Sequence, residues 1–163
     1  MRKFTNVQDE IDGMGIFFPK VIVKRSVYGR LRKHTYATGF QYETGGVLLG
    51  YKCLWMIFVT DFTTPRHLNC TGKMTFILDG KEHTWEMGRI RHRHLFPPRL
   101  VGVWHSHTTQ DRTLSIQDGK ANKVLANRFG DIISIIVTKK GTNDIRLTLY
   151  YVSKRSTTSI EAV

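Results

Sequence analysis

The segment VGVWHSHTTQDRTLSIQDG, residues 101–119, sets His105 and His107 one residue apart at the end of an apolar run, with Ser115 and Asp118 at a fixed distance beyond. In a strand, residues i and i+2 point to the same side, so both imidazoles can face one point. Seven residues, TTQDRTL, then lead to Ser115, where the pattern predicts a helix with Asp118 in its first turn. From there the Asp118 carboxylate can return over the strand end as a third, anionic ligand. Two imidazoles and a carboxylate suit zinc and leave the fourth tetrahedral position to water, the arrangement of a catalytic site rather than a closed structural one. An ion so held brings the pKa of its water to about 7.

Simpler roles exist for the same residues. Ser115 and Asp118 also fit a helix capping box, in which the serine accepts a backbone N–H and the residue three along answers it. The two roles are compatible, because Ser115 can start the helix while Asp118 reaches a metal. His92 and His94 repeat the His-x-His spacing in RHRH. They fall in a predicted helix, where i and i+2 diverge, and no serine and aspartate follow them, so they read as basic surface residues. Hydrolysis would also need a general base. Of the five glutamates, Glu43 precedes TGGVLLG at the mouth of an apolar strand, Glu82 and Glu86 lie four apart in the solvated manner, and Glu10 and Glu161 are terminal. Position alone leaves Glu43 open between a base and a loop carboxylate before a glycine turn.

These side chains need a scaffold, and 163 residues allow one domain with a single core. Hydrophobic content of 40% and charged content of 23% are those of a globular chain. No apolar stretch approaches the roughly 20 residues of a membrane span, and no apolar run follows the basic N-terminus as in a secretory signal. The expected setting is cytoplasmic, with no membrane partner. Cys53 and Cys70 form no C-x-x-C pattern and read as ordinary buried or half-buried thiols. The net charge of +12 would suit an acidic partner, nucleic acid included. The positive residues are dispersed and no nucleic-acid-reading motif accompanies them, so a solvated surface is favoured over a specific nucleic-acid face.

Several elements can be read along the chain. In IFFPKVIVKRSV a short extended segment is broken by Pro19. Residues 23–35 read as a basic helix with Val27 and Leu31 on one face, weakened by Gly29. GGVLLGYKCLWMIFVTDFTT reads as two strands with a break at 50–54, dense enough in apolar residues to be covered on both faces. GKMTFILDG, 72–80, reads as a short strand. KEHTWEMGRIRHRHL reads as a helix with Trp85 and Ile90 in its apolar stripe, ended by Pro97 and Pro98. RLVGVWHSH is a strand, SIQDGKANKVLANRF a helix, and DIISIIVTKK and DIRLTLYYVS two further strands, before a loose tail from 154. Helices interleaved with apolar strands make an α/β domain with a central sheet.

ETGGVLLG followed by GVWHSHTTQDRTLSIQD resembles the JAMM motif of the JAB/MPN metalloenzymes, an upstream glutamate and then His-x-His-x7-Ser-x-x-Asp. The chain is similar in particular to compact bacterial JAB-domain proteins, over roughly residues 21–152. The resemblance implies a cytidine-deaminase-like α/β sandwich, a central mixed β-sheet flanked by helices, and a zinc-dependent isopeptidase. It implies one zinc per chain on His105, His107 and Asp118, with Glu43 as general acid/base and Ser115 as the donor that steadies the oxyanion. The implied substrate is the amide after the C-terminus of a ubiquitin-like or similarly conjugated protein, in the setting of bacterial conjugation and antiphage defence. One departure is Thr108, where most members have proline, and it predicts an altered loop with the ligands in place. A nucleoside deaminase would need a Pro-Cys-x-x-Cys element that the chain lacks. Two alternatives stand beside this reading. One is a JAB peptidase trimming a carrier protein's C-terminus, and the other is a basic nucleic-acid-binding module with a non-catalytic site.

Overall fold

The computed structural model describes residues 18–65 and 80–160. The strand expected at 72–80 lies outside them except for Gly80, which begins a helix, and Cys70 lies outside them too. In chain order the elements are β1 (Lys20–Val23), α1 (Arg25–Ala37), β2 (Gly45–Cys53), β3 (Met56–Phe62), α2 (Gly80–Arg91), β4 (Arg99–Ser106), α3 (Ile116–Phe129), β5 (Ile132–Lys140), β6 (Asp144–Val152) and β7 (Thr157–Ile160). The seven strands form one mixed sheet in the order β1-β3-β2-β4-β5-β6-β7. β1 runs parallel to β3 and β4 parallel to β5, and the other pairs are antiparallel. A parallel pair cannot close with a hairpin, so the chain between β4 and β5 crosses over through α3. That crossover sets the α3 N-terminus beside the end of β4.

The period of two sorts the core. Leu48 packs with Val27 and Leu31 of α1 and with Trp104, Ile133 and Ile135. Its neighbours Val47 and Leu49 pack instead with Ile90 of α2, and Ile132 packs with Ala126 of α3. Successive strand residues face opposite sides, so α1 covers one face and α2 and α3 the other. β5 is buried along seven successive residues for this reason. The α/β class and the covered sheet are therefore as the sequence predicts. Among the described residues no helix is long and apolar enough to cross a membrane.

Several local expectations are corrected. Pro19 precedes β1 rather than ending a strand, a place that suits a residue without an N–H. The β2–β3 turn is Leu54–Trp55, and the irregularity at Leu49–Gly50 is a register shift inside the paired strands. α2 stops at Arg91, so His92 and His94 lie beyond it. His94 Nε2 sits 3.2 Å from Asp61 Oδ2, and Arg30 donates to the other oxygen of that carboxylate at 2.8 Å. Trp85 is 52% exposed and leaves the inward face of α2 to His83 and Ile90. His83 tolerates burial because its Nδ1 is 2.7 Å from Thr63 Oγ1. Glu86 is not a solvated side chain, since its Oε2 accepts the Thr64 N–H at 2.9 Å. Cys53 is exposed at the end of β2. The tail from 154 is not loose throughout, because residues of β7 pair with β6 from Leu149 to Val152.

Candidate metal centre

β4 ends at Ser106, between the two histidines. Its neighbours hold this end straight, with Gly45 of β2 opposite His105 on one side and Ile136 of β5 on the other. His107 lies one residue past the strand but keeps its line, because its N–H donates to the Val137 carbonyl at 3.0 Å. Both imidazoles are buried, and their Nε2 atoms are 2.9 Å apart. His107 directs Nδ1 at the Asp111 carbonyl, 2.7 Å away. A carbonyl only accepts, so Nδ1 is the donor in this contact and Nε2 is the ring atom turned toward His105.

The loop between His107 and α3 is tied by its own polar residues. Asp111 Oδ1 accepts from the Thr113 N–H and hydroxyl at 2.9 and 2.8 Å. Those bonds from Thr113 hold the Asp111 carboxyl below its usual range. The Tyr150 hydroxyl of β6 donates to the Arg112 carbonyl at 2.7 Å. Ser115 then caps α3, and the capping box is complete: the Asp118 N–H donates to Ser115 Oγ at 3.1 Å, and the Ser115 N–H donates to Asp118 Oδ2 at 3.2 Å. The same carboxylate oxygen accepts the Ser115 hydroxyl at 2.6 Å and lies 3.7 Å from His105 Nε2. One residue therefore finishes the cap and faces the histidines.

The ligand atoms of His105, His107 and Asp118 all lie within 4.8 Å of one another. Tetrahedral ligands about 2.0–2.1 Å from a zinc ion stand roughly 3.3 Å apart. Two of the three separations, 2.9 and 3.7 Å, fall on either side of that value, so the group could hold a metal ion. Burial, only partly offset by Asp118, lowers His105 to about 4, so its ring is neutral and able to ligate at neutral pH.

Glu43 arrives by a separate route. After α1, Gly39 and Phe40 both take positive φ, 65° and 52°, a conformation a non-glycine residue rarely adopts. The Phe40 ring is buried edge-on to Tyr36, which holds the turn. The next anchor is Thr44, whose N–H donates to Ser106 Oγ at 3.1 Å and whose carbonyl accepts the Ser106 N–H at 2.7 Å. His34 Nε2 lies 3.2 Å from Thr44 Oγ1, and the His34 ring stands edge-on to Trp104. Trp104 in turn donates its indole N–H to the Thr63 carbonyl at 3.0 Å. Gly46 is what lets Thr63 come so close, since a Cβ there would lie 2.1 Å from that carbonyl oxygen. Glu43 is thus held within electrostatic reach of His107 and Asp118. Burial raises its pKa, His107 lowers it and Asp118 raises it again.

All five residues singled out from the sequence therefore gather at one end of the β2–β4 pair. Three contributors were not singled out. The Asp111 carbonyl is foreshadowed by D-R-T, an Asx-turn pattern, but Ser106 and His34 act through long-range contacts that leave no local signal.

No protein-family model matches the chain, and no curated protein sequence matches it. Among solved structures, the chain is similar to the solution structure of protein DSY2949 from Desulfitobacterium hafniense. The TM-score is 0.66 at 17% identity, over 88% of this chain and 91% of that one. The two chains share an α/β fold across nearly their whole lengths.

Proposed function

We propose that this chain is a zinc-dependent hydrolase of the JAMM type, with the JAB/MPN form of the α/β sandwich, acting on the amide that follows the C-terminus of a ubiquitin-like or similarly conjugated protein. The observation that carries the reading is the convergence of His105, His107 and Asp118 ligand atoms within 4.8 Å, beside a carboxylate delivered from another segment. A zinc ion held there supplies acidified water and a polarised carbonyl. Glu43 takes a proton from the attacking water and returns it to the departing amine, a task that favours a pKa raised by burial. Ser115 steadies the developing negative oxygen, which requires its O–H to turn away from Asp118 Oδ2.

The test is zinc content per chain in tag-free protein, followed by cleavage of ubiquitin-like fusions. Wild type is expected to hold about one zinc and His107→Ala none. Glu43→Gln is expected to keep its zinc and lose cleavage by at least about 100-fold. Absence of zinc from the wild type after incubation with the metal overturns the reading. A Glu43→Gln variant that still cleaves refutes the assignment of the base.

A further inference from the structure

At the end of the sheet away from the histidines, apolar residues are open to solvent. Leu54 and Trp55 form the β2–β3 turn and are 92% and 66% exposed. Leu95 and Phe96, between α2 and β4, are 90% and 74% exposed. The Tyr51 hydroxyl donates to the Phe96 carbonyl, so the second pair lies beside the first. Side chains this exposed stand out from the surface rather than line a groove.

Basic residues share this end of the sheet. Lys20 is adjacent, as its N–H donates to the Trp55 carbonyl at 2.7 Å. Lys52 lies near the end of β2, two residues before the turn, Arg99 pairs with Gly50, and Lys154 and Arg155 follow Val152, which pairs with Ile132 at the same end of β5. All five are exposed. Among the described residues, Asp131 is an acid at this end, where its carboxylate accepts the Tyr151 hydroxyl at 2.6 Å and its carbonyl accepts from Lys52 Nζ.

We propose that this end of the molecule docks on an anionic lipid surface, with Leu54, Trp55, Leu95 and Phe96 entering the headgroup boundary and the Lys and Arg side chains spread across that end meeting lipid phosphates. A protein partner would need cavities matched to four protruding tips, whereas a bilayer deforms around them. Nucleic acid would meet the positive charge and stack on aromatic rings, but it offers nothing that buries Leu54 and Leu95. What the sequence lacks is a continuous apolar span. This contact is assembled from separate turns and needs no span. His105 pairs with Gly45, eight residues along β2 from Cys53, so the candidate metal centre sits about 27 Å away and stays open to a substrate.

The experiment is sedimentation of the full chain with vesicles of phosphatidylcholine alone or mixed with phosphatidylglycerol, beside a single-stranded oligonucleotide titration. Binding is expected to the mixed vesicles only. It is expected to fall about tenfold in Leu54→Glu/Leu95→Glu, and separately by about tenfold in Lys154→Glu/Arg155→Glu. Lys139→Glu/Lys140→Glu makes the same charge change at the opposite end of β5 and is expected to retain binding. Circular dichroism verifies the fold of each variant. Failure to bind mixed vesicles, equal loss in the Lys139/Lys140 pair, or binding to the oligonucleotide alone overturns the proposal.

Discussion

Ser106 lies between the two candidate ligands and serves neither of them. Alternation sends its side chain to the other side of β4, where Oγ accepts the buried Thr44 N–H at 3.1 Å and so fixes the residue after Glu43. The central position of His-x-His therefore joins the metal ligands to the carboxylate that would work with them. Ser106→Ala leaves that N–H buried without its acceptor, and equilibrium denaturation is expected to show a loss of about 1–3 kcal/mol. Ser106→Thr retains the hydroxyl on a β-branched residue that suits a strand, and is expected to recover most of the loss. Zinc content is expected to be unchanged in both variants, since neither substitution touches a ligand atom. Loss of zinc in Ser106→Thr would show that the serine supports the ligands directly.

Elements with a regular apolar period were legible, and elements held by polar or distant contacts were not. α1, β4, α3, β5 and β6 carry their core residues at spacings of four or two, so their places follow from the pattern. β7 was missed because TTSI buries only Ile160, leaving no alternation to read. In α2 the inward positions are His83, Met87 and Ile90, a helical series that counting apolar residues hides, since it scores Trp85 and ignores a histidine. The candidate site divides in the same way. His105, His107, Ser115 and Asp118 are legible because one strand, loop and helix carries them, while Glu43 depended on resemblance because its neighbour Thr44 is anchored 62 residues away at Ser106. Two glycines separate packing from propensity. Gly46→Ala drives a Cβ to 2.1 Å from the Thr63 oxygen and disturbs the bonds to Trp104 and His83, and its expected cost in urea unfolding is about 3 kcal/mol or more. Gly29→Ala meets nothing within 4 Å inside α1, and is expected to stabilise by about 0.5–1 kcal/mol in the same assay. Equal effects would refute the packing argument.

Across the whole molecule, charges of both signs lie at both ends of the sheet. Glu43, Asp111 and Asp118 lie nearest the candidate ligands at the β4 terminus, with Lys139 and Lys140 at the same end of β5, while Lys20, Lys52, Arg99, Lys154 and Arg155 lie at the other end of the sheet. The net charge of +12 is therefore a poor guide to what the candidate metal centre meets. Because the ligands come from β4 and from the crossover helix that follows it, a bound cation ties two layers of the fold together. Zinc at about 100 times its dissociation constant is expected to stabilise the native state by about 2.7 kcal/mol. Calorimetric scans with and without zinc would show this as an upward shift of several degrees. The shift should vanish in His107→Ala, and its persistence there would place the stabilising ion elsewhere.

The three tryptophans differ in what can reach them. Trp55 and Trp85 are largely in solvent, while Trp104 is fully buried and adjoins His105 in the chain. An aqueous collisional quencher such as acrylamide therefore removes light from the first two and leaves emission from the residue that precedes a candidate ligand in β4. Copper(II), which accepts excitation energy at short range, is expected to dim that remaining light in proportion to occupancy, and an Asp118→Ala variant should stay bright. The core residue that supports the sheet thus makes cation binding visible without a label.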